Sequence, residues 1–207
     1  MNLLHTELTV SQAIYQRRAV RHYGSREVSR DLVKQLLHAA VQAPSAMNQQ
    51  PWLFAVFHGR KRLHRYSEMA KRYLIATYPT GFSLHGRSQL YEDQDYDVFH
   101  GAGTVIVIYA QRGWLHPNED CCLAAQNLML SACALGLATC PIGFVRSWFD
   151  WTETKRDLGV PEHYSAVFPL TVGYPDGSTP APARREPVVV SWGWDDEPQD
   201  GLPARLD

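Results

Sequence analysis

The sequence predicts an α+β fold, with helices packed on a modest sheet in the order α-α-β-α-loop-β-α-α-β-tail. Helical stripes outnumber the strand-like runs, and those runs are short, apolar and rich in β-branched or aromatic side chains. No GxGxxG follows a strand and no GxxxxGK[ST] occurs, so the doubly wound dinucleotide fold and the P-loop fold have no signature here. At 207 residues the chain suits one domain, with residues 175–207 as a C-terminal arm.

Residues 10–18 read as a short helix. Ser29 then offers an N-cap, Asp31 stands in the first turn, and Leu32, Leu36 and Ala40 beside Val33, Leu37 and Val41 make an apolar stripe that Pro44 ends. Residues 52–57 form an aromatic and β-branched run of strand length. Helical spacing returns over residues 60–77, with Leu63, Ala70 and Leu74 on one side and many cations on the other. Residues 79–99 break the pattern: Gly81, Gly86, Tyr91 and Tyr96 accompany the acidic stretch 92–95. A segment of that length suits a variable substrate or lid element, a helical insertion or a disordered loop.

Residues 104–109 are continuously apolar, as in the middle of a sheet. Asn118 is placed to cap a helix over 119–135, with Gly136 at its end. That helix is apolar nearly all round and should be buried, in its own core or against a partner subunit. Residues 152–158 read as a short helix closed by Gly159, residues 166–173 as a strand despite Pro169, and residues 188–192 as a last strand-like piece.

Bulk properties narrow the function. A formal net charge of −1 gives no field to draw the chain to nucleic acid or an anionic membrane. The first ten residues include His5 and Glu7 and lack the apolar core of a secretory leader. The most apolar long segment, 121–138, carries Gln126 and Asn127, and its apolar run is shorter than the roughly 20 residues of a membrane span. The four cysteines have neither CxxC nor zinc-site spacing, which suits a reduced, cytoplasmic protein. Nine histidines are scattered without HExxH, so no metal is expected; no GxSxG marks a hydrolase.

Four stretches carry chemistry. Arg17, Arg18 and Arg21 close the first helix, where spacing of four would bring Arg17 and Arg21 onto one anion; a solvated basic face has the same pattern. Pro44 and Pro51 keep the intervening backbone out of helix, and Ser45, Asn48 and Gln50 add donors and acceptors suited to a heterocycle, although an ordinary helix-to-strand loop would look alike. Residues 136–144 place small side chains and Pro141 where backbone can approach a ring. Arg184 and Arg185 stand between Pro182 and Pro187 on a semi-rigid stretch. Together these features suggest a phosphorylated aromatic cofactor.

The combination RRAVRHY, APSAMNQQPW, DCCLAAQNLMLSACALGLATCPIGF and PLTVGYPDG…ARREP resembles the nitroreductase family of FMN-dependent oxidoreductases, in the family's order from about Ser11 to Pro187. The resemblance implies a sandwich with a central, mainly antiparallel sheet flanked by helices, and an intertwined homodimer with two FMN sites at the subunit interface. It also implies ping-pong chemistry, in which NAD(P)H reduces the flavin and the flavin reduces a nitroaromatic, a quinone or a similar small electrophile. The flavin carries that chemistry, so no catalytic side chain is expected.

By the same resemblance Arg17, Arg18, Ala19 and Arg21 match the arginine motif that contacts phosphate, ribityl and pyrimidine edge, with Ala19 where the motif commonly has serine. Pro44, Ser45, Ala46, Asn48 and Gln50 match the segment that reaches the flavin of the partner subunit. Pro141, Ile142 and Gly143 match the backbone near flavin N5 and O4, and Arg184 or Arg185 matches the C-terminal phosphate ligand. Residues 79–99 match no family motif and leave the substrate open. A flavin-binding sensor or carrier without turnover, and a flavoenzyme oxidising a specific substrate, use the same motifs.

Overall fold

The computed structural model describes residues 8–78, 93, 95–191 and 193. Strands β1 (Trp52–His58), β2 (Thr104–Gln111), β3 (Ala138–Pro141) and β4 (Tyr164–Gly173) form one antiparallel sheet in the order β1-β2-β4-β3. The helices are α1 (Val10–Gln16), α2 (Arg30–Ala40), α3 (Arg60–Thr77), α4 (Pro117–Ala134), α5 (Arg146–Asp150) and α6 (Thr152–Leu158). The α+β class is the one the sequence pattern predicts, and the antiparallel sheet is the one the resemblance implies.

Helices cover both faces of the sheet, which explains why β2 is apolar without a break. Ile106 and Ile108 pack with Leu36, Ala40, Ala124, Leu128 and Ala132 of α2 and α4. Val105, Val107 and Tyr109 pack on the opposite side with Leu63, Ala70 and Leu74 of α3 and with Trp148 and Phe149 of α5. The two-residue alternation of a strand thus serves two cores at once. Pro169 stands in β4 opposite Val107, next to the register shift at Ile108/Tyr109, and its carbonyl accepts the Ile142 N–H at 3.0 Å.

Local signals hold at most termini. Thr9 and Gln12 form a capping box on α1, at 2.8 and 3.2 Å. The Ser29 hydroxyl accepts the Leu32 N–H at 3.3 Å. Gly159 takes the left-handed position beyond α6. At the start of α4 the cap is His116, not Asn118: His116 adopts φ 54°, and Pro117 opens the helix, where its missing N–H costs nothing.

Three expectations are corrected. Helix α1 stops at Gln16, because Arg17 turns extended with ψ 131°. β3 lies inside the stretch 136–144, where four small or β-branched residues gave too short a run to recognise as a strand. Residues 188–191 form no strand and run exposed, since the apolar trio Val188, Val189 and Val190 pairs with no described sheet edge.

Most of the anticipated lid segment, residues 79–92 and 94, lies outside the described residues. Its end belongs to the core. Val98 and Phe99 are fully buried, with the Val98 N–H on the Ser67 hydroxyl at 3.1 Å and the Asp97 carboxylate accepting from Phe99 and Gly101.

Candidate functional site

The predicted arginine motif is laid along the outer edge of β3. Ala19 pairs with Thr139 as an isolated parallel bridge, and the Val20 N–H donates to the Thr139 carbonyl at 3.1 Å. Tyr23 bridges to Pro175, and the Gly24 N–H donates to Tyr174 at 3.0 Å. The Arg60 guanidinium ties this segment to the sheet through the carbonyls of Gly24 and Gly101. Close packing holds it there: a Cβ on Gly173 would meet the Tyr23 ring at 2.6 Å, and the Tyr23 hydroxyl is hydrogen-bonded to Thr171 at 2.7 Å.

This extended path overturns the helical spacing by which Arg17 and Arg21 were to converge. Arg17 and Arg18 instead share a cavity of about 250 Å³ with Met129, Cys133, Gly136 and Thr139. No carboxylate residue is among those lining it. The two arginines differ in what they do. Arg18 donates to the carbonyls of Tyr15 (2.7 Å) and Arg17 (2.9 Å), satisfying the open end of α1. The Arg17 guanidinium has no hydrogen-bond or ion-pair partner among the described residues, although Arg17 is half-buried. Arg21 is exposed and acts toward Cys140: burial pushes that thiol up and the Arg21 charge pulls it back. A raised thiol is a poor nucleophile, in keeping with Cys140 as a packing residue.

One polar atom at the cavity stands out. Thr139 is 1% exposed, and its hydroxyl is the one buried side-chain oxygen or nitrogen without a hydrogen-bond partner among the described residues. Such an orphan costs about 1–3 kcal/mol unless something completes it.

β3 leads from this cavity to the second predicted site segment. Pro141 pairs with Leu170 and is exposed; Ile142 is buried and fixed to Pro169. Gly143 is exposed, and nothing lies within 4 Å of where its Cβ would be. A planar group therefore has open backbone to approach, at most about 13 Å along the chain from Thr139.

The amide loop is a strained structure held from outside. Met47 (φ 51°), Asn48 (φ 54°) and Gln50 (φ 50°) all adopt left-handed conformations, which cost roughly 1–2 kcal/mol for residues other than glycine and asparagine. Three contacts enforce them. The carboxylate of Asp120, 4% exposed in the first turn of α4, accepts the Ala46 N–H at 3.2 Å through either oxygen. The Ser45 hydroxyl accepts the Gln50 N–H at 2.9 Å, and the Gln49 side-chain carbonyl accepts the Leu115 N–H at 3.3 Å. Pro44, Asn48 and Gln50 are exposed, and Met47 is 85% exposed.

Within one chain these pieces do not all meet. The loop is anchored near Asp120 at the start of α4, whereas the arginine cavity lies against Met129 and Cys133. Asp120 precedes Met129 by nine residues and Cys133 by thirteen on that helix, which sets the two halves about 14–20 Å apart along its axis. Arg184 and Arg185 are exposed on the arm and do not line the cavity, although Gly177 and Thr179 of the same arm do. Sequence inspection missed Asp120 and Thr139. The first was visible only as a first-turn acid, and the second had no signal before β3 was known.

The edge strand β3 thus carries an orphaned hydroxyl, lies beside the unpaired Arg17 and leads to open backbone at Gly143. The Nitroreductase family profile matches residues 14–174, and the chain belongs to that family. A 4-nitrobenzoate reductase from Nocardioides sp. (strain LMS-CY) is 29% identical, with 87% of this chain and 88% of the relative aligned. Among solved structures, a nitroreductase with bound FMN from Bacteroides fragilis NCTC 9343 superposes with TM-score 0.73 at 25% identity, covering 88% of this chain and 95% of that one. An FMN-dependent nitroreductase from Clostridium difficile R20291 superposes with TM-score 0.71 at 25% identity, covering 88% and 98%. Among the described residues no helix is long and apolar enough to cross a membrane.

Proposed function

We propose that this chain binds FMN and, as a homodimer, transfers hydride from NAD(P)H to a nitroaromatic, a quinone or a similar small electrophile with ping-pong kinetics. The observation that carries this is the carboxylate-free cavity in which the Arg17 guanidinium stands unpaired beside β3, one short strand away from the open backbone at Pro141 and Gly143. A dianionic phosphate satisfies the first feature and a flat ring the second.

When bound, FMN supplies the hydride-accepting and hydride-donating centre, and the protein supplies position and electrostatics. Arg17 and Arg18 would neutralise the phosphate, and Arg184 or Arg185 would join them from the arm. The fixed Ile142 backbone and the bare Gly143 set how closely the ring approaches. Donor and acceptor would use the same open place beside Gly143 in turn, which is why ping-pong kinetics are expected. Arg21 brings a fixed positive charge to the ring edge. A hydrogen bond to a charged group is worth about 1.5–3 kcal/mol, and about 1.4 kcal/mol corresponds to 30 mV for two electrons. Arg21→Ala is therefore expected to lower the bound-flavin potential by roughly 30–60 mV in a spectroelectrochemical titration; an unchanged potential removes Arg21 from this role.

The separation of the two site halves along α4 supports a dimer, because the loop at residues 44–50 reaches a flavin only on a second copy of the chain. Exposed apolar side chains support it too: Val10, Ile14 and Tyr15 of α1, Met47 of the loop and Leu123 of α4. The exposed trio Val188, Val189 and Val190 gives the arm a face to lay on a partner.

Purified protein should be yellow, with an oxidised flavin spectrum that bleaches anaerobically on addition of NADH or NADPH and returns on addition of a quinone. Bound FMN that neither nucleotide reduces would mark a sensor or carrier, or an enzyme working oxidatively. Protein that stays colourless and ignores added FMN would end the proposal.

A further inference from the structure

Helix α3 has a second face that the core does not use. Leu63, Ala70 and Leu74 pin the helix to the sheet, while Met69, Arg72 and Tyr73 line a cavity of about 440 Å³ whose other wall is Trp148 and Trp151. It shares no lining residue with the arginine cavity, and its volume lies within the range of about 300–1,000 Å³ usual for small-molecule sites.

The walls are set before any ligand arrives. Trp151 stands in extended backbone between α5 and α6, with its N–H on the Trp148 carbonyl at 3.3 Å and its own carbonyl accepting from Lys155 at 2.9 Å. Its ring meets the Tyr73 ring at 5.2 Å, tilted by 38°. Trp148, 1% exposed, forms the floor and packs on Tyr66 and Phe149. Trp151 and Met69 are 43% and 44% exposed, so a ligand in the cavity reaches both directly.

Charge then selects the ligand. Arg72 is exposed and has no hydrogen-bond or ion-pair partner among the described residues. Glu68 is the only acid in α3, and Lys71 holds it at 2.7 Å. No carboxylate residue lines the cavity. Aromatic and thioether walls beside one unpaired guanidinium favour a flat ring bearing an anionic group and disfavour a cation.

We propose that the groove between α3 and the α5–α6 corner is a binding site for a flat aromatic molecule with one anionic group, its ring on Tyr73 and Trp151 and its anion on Arg72. The site is independent of the FMN assignment.

Calorimetric titration of the protein, with FMN added in excess, should show saturable binding of 2-naphthoate. The uncharged analogue 2-naphthylmethanol should bind roughly 3- to 5-fold more weakly, the worth of an exposed charge pair. Arg72→Gln should weaken naphthoate by that same factor and leave naphthylmethanol unchanged, with FMN affinity as in the wild type. Trp151→Ala should weaken both probes by roughly 10-fold, as for a lost aromatic contact.

A wild type that shows no saturable naphthoate binding overturns the proposal, as it would if a second copy or another stretch of the chain filled the groove. So does naphthoate binding that both variants retain at full strength, which puts the ring elsewhere, the flavin site included. An equal loss of both probes in Arg72→Gln overturns the placing of the anion on Arg72. Failure of the protein to take up FMN bears on the cofactor reading alone, because the titration then runs without it.

Discussion

Arg17→Ala is expected to weaken FMN binding by roughly 10- to 100-fold while leaving the melting temperature of the flavin-free protein unchanged. Charge-assisted hydrogen bonds to phosphate are worth about 1.5–3 kcal/mol, which gives that range of affinity. The second half of the expectation follows from what the side chain does in the fold. Arg17 has no hydrogen-bond or ion-pair partner among the described residues, so its truncation breaks no polar contact and relieves unpaired positive charge. Arg18→Ala should behave differently, since it also removes the donors that cover the Tyr15 and Arg17 carbonyls at the end of α1. Fluorescence titration with FMN and thermal melts of both flavin-free variants separate the two. Unaltered FMN affinity in Arg17→Ala would exclude the cavity as the phosphate site.

Asp120→Ala is expected to lower stability by about 2 kcal/mol and to loosen the amide loop. The carboxylate supplies a charge-assisted bond to the Ala46 N–H, worth about 1.5–3 kcal/mol, and sits in the first turn of α4, where the helix field adds about 0.3–1 kcal/mol. Relief from burying a charge offsets part of this. For a chain of this size such a loss is a fall in melting temperature of roughly 4–8 °C. The left-handed residues Met47, Asn48 and Gln50 then lose one of their three restraints, and hydrogen exchange at those amides should accelerate. Asp120→Asn retains an acceptor and should cost less. A full-strength melting temperature with unchanged exchange in Asp120→Ala would show that the loop is held by other means.

Much of the fold was legible because periodicity and capping act locally. The stripe of Leu32, Leu36 and Ala40 gave α2, Ser29 gave its start, and the β-branched run at Thr104 gave the buried β2. β3 was illegible for a physical reason: four residues carry too little pattern, and Ala138 to Pro141 form a strand only because β4 and Ala19 offer partners on either side. The helical spacing of Arg17 and Arg21 misleads on the same ground, since the sheet edge pulls that backbone straight.

The sequence by itself determined the residue types of the site: which segments carry guanidinium groups, which carry free amides and which carry small residues beside a proline. It determined the class of fold as well, because hydrophobic period and helix caps depend on near neighbours. Only the tertiary structure decided which arginine also covers a helix end and which has no polar partner among the described residues. It alone brought Thr139 to Ala19, fixed Ala46 to Asp120, and set the two halves of the site at opposite ends of one helix. Those facts depend on partners distant in the chain, and a side chain's availability is settled by whether such a partner arrives.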